Sequence, residues 1–281
     1  MHAAQTSLPF VSEFSQELIG RSGYLNEGFA KVYDRFRPAP CAEVLRVLTT
    51  VADADVPRLV VDVGSGTGLA TRAWATRAAT VVGVEPNPRM VEHAQAATPQ
   101  ANVRYVQAYA AETGLPDGAA DLVTTFQAFH WMEPQPVLAE AARILRPGGV
   151  FAAVDYDVPP FVEPEVTAVF EEHFAARREA RDRLGNPAGA ARWRKEDHVE
   201  QIRGSGRFRY ARELVAHSWW ELDAERLIGL AESIGGPRAI FSDQAPEVTA
   251  TFERLRETAD RVLGDKARPT LLCWRMRIGV K

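Results

Sequence analysis

The stretch that decides the fold is Arg58-Leu-Val-Val-Asp-Val-Gly-Ser-Gly-Thr-Gly68. An apolar run, bounded before by Pro57, passes straight into a glycine-rich turn. A continuous apolar run of this length reads as a strand buried on both faces, the usual state of a strand in a parallel sheet. Glycines let the turn take φ > 0 and let a ligand approach the backbone closely. A helix is expected from about Leu69 to Arg77.

The same alternation continues outward. Thr80–Glu85, Val103–Gln107, Asp121–Phe126 and Val150–Asp155 read as further strands, with helices near 90–97 and 137–145. Strands alternating with helices at this spacing imply βαβ units and a parallel sheet. Upstream, Phe29, Tyr33 and Phe36 recur at helical spacing and Pro38 ends that helix. Pro40 suits the first turn of the next helix, whose face is Val44, Leu45, Leu48 and Val51. Downstream, Pro159, Pro160 and Pro164 mark a boundary, and Glu165–Leu184 reads as a helix broken by Gly185-Asn-Pro-Ala-Gly189. Strands at 212–219 and 271–278 and helices at 223–235 and 246–263 complete the pattern. The expected architecture is α/β: a Rossmann-like, doubly wound, mostly parallel seven-stranded sheet. Residues 1–37 form an N-terminal helical cap, 38–157 and 206–281 the core, and 158–205 a helical lid inserted after the fifth strand.

Composition narrows the function classes. Across 281 residues, 33 Lys and Arg stand against 37 Asp and Glu, a net charge of −4. A chain that binds nucleic acid over its whole surface is normally basic. The two cysteines, Cys41 and Cys273, make neither a disulfide framework nor a cysteine-rich metal site. The N-terminus, Met-His-Ala-Ala-Gln-Thr-Ser, has no basic segment followed by an apolar one, so no signal peptide is expected. No run of 18 apolar residues suggests a membrane span. A cytoplasmic enzyme is the expectation, with homo-oligomers left open. The charge is uneven: Arg177–Arg212 holds 11 basic and five acidic residues, +6, which leaves −10 elsewhere.

In an open parallel sheet, ligands bind at the carboxyl ends of strands, near the reversal of strand order. Glu85 ends the second strand, about 20 residues on, where an acidic side chain accepts from ribose hydroxyls. A dinucleotide site needs G-x-G-x-x-G/A. Here Leu69 stands three residues after Gly66, and the spacing is G-x-G-x-G. S-adenosylmethionine has no pyrophosphate and needs no phosphate cradle, so it suits this turn better.

Four segments together resemble the class I S-adenosylmethionine-dependent methyltransferases: Val61–Gly68, Val82–Asn87, Ala111–Asp117 and Arg143–Gly149. Tyr33-Asp-Arg-Phe-Arg-Pro38 and Gln127-Ala-Phe-His-Trp131 look like the small-molecule branch that includes trans-aconitate methyltransferase. The resemblance runs from about Tyr33 to Tyr156, and more weakly over Phe208–Gly235. It implies that Gly64, Ser65 and Gly66 line the methionine part of the cofactor, with Asp62 supporting the turn. Glu85 would hold the ribose, Pro86, Asn87 and Met90 would flank the adenine, and Ala111 and Glu112 would lie at its edge. Relatives often carry Asp immediately before this Ala-Glu pair; here that residue is Ala110. Gln127 would sit near the sulfonium and Tyr33 near the amino-acid end.

Methyl transfer from a sulfonium is an in-line displacement, in which alignment supplies most of the acceleration. A base is needed only for an acceptor that arrives protonated. His130 is the candidate base, and Tyr24, Phe129 and Trp131 are candidate walls of the acceptor site. Arg177 and Arg181, with Arg192, are candidates for reading an anionic acceptor, the other reading of the basic segment being a solvated helix face. The end of the fourth strand, Phe126-Gln-Ala-Phe-His130, does not resemble the Asn/Asp-Pro-Pro-Tyr/Phe of nucleobase-amino methyltransferases. No metal is expected. The expected function is methylation of a small molecule, at a carboxylate or hydroxyl oxygen. Carbon or nitrogen methylation and modification of RNA or protein are the alternatives.

Overall fold

A computed structural model describes residues 29–184, 193–234 and 245–281. Tyr24, Arg192, most of the expected cap and the Gly185–Gly189 break therefore lie outside the described residues. The strands are β1 (Leu59–Val63), β2 (Thr80–Val84), β3 (Val103–Val106), β4 (Ala120–Phe126), β5 (Leu145–Tyr156), β6 (Tyr210–Leu222) and β7 (Arg268–Val280). They form one sheet in the order β3-β2-β1-β4-β5-β7-β6. Its left part is parallel throughout, β7 runs antiparallel to β5, and β6 pairs antiparallel with β7. The expected doubly wound sheet is present. Because β1 lies between β2 and β4, the loops leaving β1 and β4 part in opposite directions and open a crevice at their carboxyl ends.

The apolar run of β1 is explained by burial on both faces. Val60 joins a layer with Val44, Leu45 and Leu48 of helix α2 (Ala42–Val51) and Trp74 of α3 (Leu69–Trp74). Val61 and Val63 face the opposite layer, which α5 (Pro134–Ile144) covers, while α4 (Pro88–Ala96) joins β2 to β3. That layer includes Leu138 and Ile144.

Three strands are longer than their apolar patterns suggest. β5 begins at Leu145, because Leu145 pairs with Ala120 before a register shift. The Arg146-Pro-Gly-Gly149 run is thus the start of a strand rather than only a turn. β6 and β7 pair over their whole 13-residue lengths, from Tyr210 opposite Val280 to Leu222 opposite Arg268.

Helix α6 (Pro164–Leu184) shares an apolar cluster with α8 (Ala224–Ser233) and α9 (Pro246–Val262), through Val166, Phe170, Leu227, Phe252 and Leu255. Helix α7 (His198–Gly204) instead packs on the sheet through Ile202. Among the described residues, no helix is long and apolar enough to cross a membrane.

Helix α1 (Phe29–Phe36) covers the crevice and is seated on α8. The seat is tight: a Cβ built on Gly229 would lie 2.2 Å from the Phe36 ring. Gly229→Ala would raise helix propensity by about 1 kcal/mol. Overpacking against a buried ring costs about 1–3 kcal/mol, so a net loss of about 1 kcal/mol is expected. A denaturant titration should show a lower midpoint with unchanged slope; a higher midpoint would show that the contact yields freely.

Candidate functional site

The turn after β1 is built by glycines in the left-handed region. Gly64 has φ +70° and Gly66 φ +54°. A Cβ on Gly64 would lie 2.5 Å from Met132 Cε, so the chain beyond β4 closes directly on the turn. A Cβ on Gly66 would meet nothing within 4 Å: its backbone borders open space. The amides of Gly64 and Ser65 both donate to Val84 O, at 2.8 and 3.1 Å, which joins the turn to the end of β2.

Glu85 lies where the two loops meet. Its Oε2 accepts from Gly66 N and its Oε1 from Asn87 N, each at 3.0 Å. Burial raises its pKa above the usual carboxyl value, while these two N–H groups oppose the rise. Asn87 also caps α4, its Oδ1 accepting from Arg89 N at 3.0 Å. Beneath the turn, Asp62 is fully buried and accepts from the hydroxyls of Thr71 (2.6 Å) and Thr124 (3.3 Å). Burial pushes its carboxyl up to about 7, against the pull of those hydroxyls.

A cavity of about 600 Å³ opens over this turn. Asp62, Gly64, Ser65 and Gly66 line it from β1 and its turn, and Glu85, Pro86, Asn87 and Met90 from the β2 end and α4. Ala111 and Glu112 line it from the segment before β4, Gln127 from the β4 end, and Tyr33 from α1. The structure therefore brings all the expected cofactor residues to one cavity. Trp131 lines it too.

Other expected site residues lie elsewhere. Gln127 takes φ +53°, and the chain then turns through a short 3₁₀ segment, Phe129–Trp131. That turn sends Phe129 into the core, edge-on to Phe151 and His198 at 5.3 and 4.8 Å. His130 is buried behind the wall, with Nδ1 3.8 Å from Asp155 Oδ1, and does not line the cavity. Arg177 is buried in the α6 packing, donating to Ala231 O at 3.3 Å and lying over the Phe174 ring. Arg181 lies 3.9 Å from Asp182. Neither arginine lines the cavity. Elsewhere in the basic segment, Arg183 pairs with Glu247 across to α9 and Arg203 with Glu200 on its own helix. Arg183 and Arg203 thus lie on helix surfaces, whereas Arg177 is buried.

Sequence reasoning passed over Arg37, Tyr156 and Trp274, which also line the cavity. Arg37 lies four residues after Tyr33, so their spacing on one helical face was a usable signal. Trp274 stands opposite Tyr156 only through β5–β7 pairing, which nothing local announces.

Residues 61–153 match the model of a methyltransferase domain. An uncharacterized methyltransferase of Mycobacterium tuberculosis is 38% identical over 42% of this chain and 46% of its own length. The chain spans about half the length of the curated relatives it matches. A solved structure from Anaeromyxobacter dehalogenans, provisionally described as a type II methyltransferase, is 26% identical with a TM-score of 0.59. That alignment covers 87% of this chain and 98% of the other. Phosphoethanolamine N-methyltransferase 2 of Haemonchus contortus, solved with phosphomonomethylethanolamine and S-adenosylhomocysteine, shares the fold at 16% identity. Its TM-score is 0.55, over 94% of this chain and 59% of its own.

The domain implies S-adenosylmethionine as methyl donor, and the residues of the cavity fit it. The space over Gly66 is where a Cβ is missing. Ser65 lines the cavity with a buried hydroxyl that has no hydrogen-bond partner among the described residues. Each Glu85 oxygen, already holding one N–H, keeps a second lone pair for a ribose hydroxyl.

The raised Asp62 carboxyl makes stability depend on pH. Its folded value is about 7 against an ordinary 3.8, so between those values the folded state binds the extra proton. Stability attributable to this group is greatest near pH 4 and falls as pH rises to 7, by a total on the order of 4 kcal/mol. Asp62→Asn should flatten that slope when unfolding free energies are compared from pH 4 to 8. Parallel curves for the two proteins would contradict the assignment.

Proposed function

We propose that this protein is an S-adenosylmethionine-dependent methyltransferase whose acceptor is a small anionic molecule, methylated on a carboxylate oxygen. The observation that carries this reading is the make-up of the cavity beyond Gln127. Among the described residues its walls there are aromatic (Tyr33, Phe126, Trp131, Tyr156 and Trp274), Arg37 supplies a guanidinium, and no histidine lines it. A carboxylate reaches such a site ionised and needs no base; a hydroxyl does not.

Arg37 is held for the task. Its Nη1 donates to Tyr156 Oη at 2.6 Å, its Nε to Ser233 Oγ at 2.9 Å, and its plane lies over the Tyr33 ring at 4.8 Å. A guanidinium has five donors and pairs a carboxylate through charge-assisted hydrogen bonds. When bound, S-adenosylmethionine supplies an electrophilic methyl group and departs as a neutral thioether. The new bond is oxygen to methyl carbon and the broken one sulfur to methyl carbon, so the two opposite charges cancel and no proton moves. Glu85 would hold the ribose and the glycine turn the methionine part. Arg37 would hold the acceptor, and the aromatic walls would exclude water and face the sulfonium with their π-surfaces. Holding both partners in line is worth about 7–11 kcal/mol of the barrier.

The test presents purified protein and S-adenosylmethionine with benzoate, phenylacetate and decanoate, and with phenol and benzylamine as counter-probes. Methyl esters are expected by mass spectrometry, in step with S-adenosylhomocysteine release. Methylated phenol or amine without any ester would overturn the carboxylate reading. Arg37→Met should raise KM for the acid roughly 10–100-fold, the worth of a charged hydrogen-bonded contact. Glu85→Ala should weaken S-adenosylhomocysteine by a similar factor in calorimetry, and an unchanged Kd would remove Glu85 from the cofactor site.

A further inference from the structure

The basic segment returns to the site through a residue not singled out in its sequence. Residues 193–198 cross the loop that follows β4 at three points. Trp193 N donates to His130 O at 2.9 Å, and the His198 ring packs edge-on against Phe129. Between them, Lys195 Nζ reaches Asp155 Oδ1 at 2.7 Å and Gln127 Oε1 at 2.8 Å. Asp155 is buried and also paired with Arg277 at 3.0 Å.

Gln127 lines the cavity at the β4 end. Its carboxamide is gripped at both ends: Nε2 donates to Tyr156 O at 3.2 Å, and Oε1 accepts from Lys195. An ammonium can only donate and a carbonyl can only accept. The flipped amide would therefore set NH₂ against the ammonium and oxygen against oxygen, two repulsive contacts in place of two bonds. An amide is oriented by its hydrogen-bond partners, and here both partners select one orientation. In that orientation the second N–H of Nε2 is left for the cavity, as a donor toward an acceptor oxygen.

We infer that Lys195 is a positioning and specificity-determining residue: by fixing the Gln127 carboxamide, it makes that side chain a hydrogen-bond donor to the methyl acceptor. This inference rests on the carboxylate reading for what the donor recognises, but not for the orientation itself. Lys195 touches neither partner of the reaction and acts through Gln127. Asp155 keeps Arg277 when Lys195 is replaced, so the buried carboxylate is not left without a cation.

The experiment compares wild type, Lys195→Met, Lys195→Arg, Gln127→Ala and the double variant Lys195→Met/Gln127→Ala. The side-chain NH₂ signals of Gln127 are assigned in ¹⁵N NMR by their loss in Gln127→Ala. They should shift and broaden in Lys195→Met and stay near their wild-type positions in Lys195→Arg. With benzoate, phenylacetate and decanoate, Lys195→Met should lower kcat/KM roughly ten-fold or more, carried by KM, while the Kd of S-adenosylhomocysteine stays within about two-fold. In the Gln127→Ala background the same replacement should have almost no effect, because both changes remove one interaction. Unmoved NH₂ signals in Lys195→Met, or a full penalty persisting without Gln127, would overturn the inference. Signals that move while no variant methylates any of the three acids would support the positioning role and sink the carboxylate reading.

Discussion

Two backbone N–H groups, from Gly66 and Asn87, converge on the carboxylate of Glu85. Gly66 belongs to the turn after β1 and Asn87 to the loop after β2, so one side chain ties together the two loops at the carboxyl edge of the sheet. The arrangement needs φ > 0 at Gly64 and Gly66 and the parallel pairing that sets Val63 beside Val84. It also takes a charged group out of water, which is tolerated because both oxygens are hydrogen-bonded. The floor of the cavity, its open space over Gly66 and its acceptor lone pairs all follow from this one convergence.

The roof depends on the floor. Arg72, on the helix after the glycine turn, donates to Thr67 O at 2.7 Å and pairs with Asp34 of α1 at 2.8 Å. It thereby fastens the helix carrying Tyr33 to the turn that would hold the cofactor. From the other side, Arg37 is tied to Ser233 and Tyr156, and Phe36 is seated against Gly229. The walls and the floor of the cavity are parts of one packed arrangement, and close alignment of two bound molecules requires that.

What could be read from residues alone follows the range of the interactions involved. The strand–turn–helix at 59–74 is local and was legible from its apolar run and glycine spacing, and the residues that the family resemblance implied for the cofactor line one cavity. His130 and Phe129 face away from it because Gln127 adopts a left-handed backbone, a conformation its residue type does not announce. Arg177 was legible: Val166, Phe170, His173, Arg177 and Ala180 form one buried stripe on α6, and extending the period would have placed Arg177 within it. Tyr156, Trp274 and Lys195 were not legible, because each reaches the site through strand pairing or a return of the chain from far along the sequence. The net charge likewise hid the segment whose Lys195 reaches Gln127 while its described arginines stay outside the cavity.

The central claim is that the glycine turn and Glu85 hold the adenosyl group with sulfur directed toward Gln127 and the aromatic wall. A crystal structure with S-adenosylhomocysteine tests it most directly. The account predicts ribose hydroxyls within hydrogen-bond distance of Glu85, the amino-acid part over Gly64–Gly66, and sulfur open to the space between Tyr33, Gln127 and Trp131. A ligand with its ribose away from Glu85, or with its sulfur turned from Gln127, would contradict it.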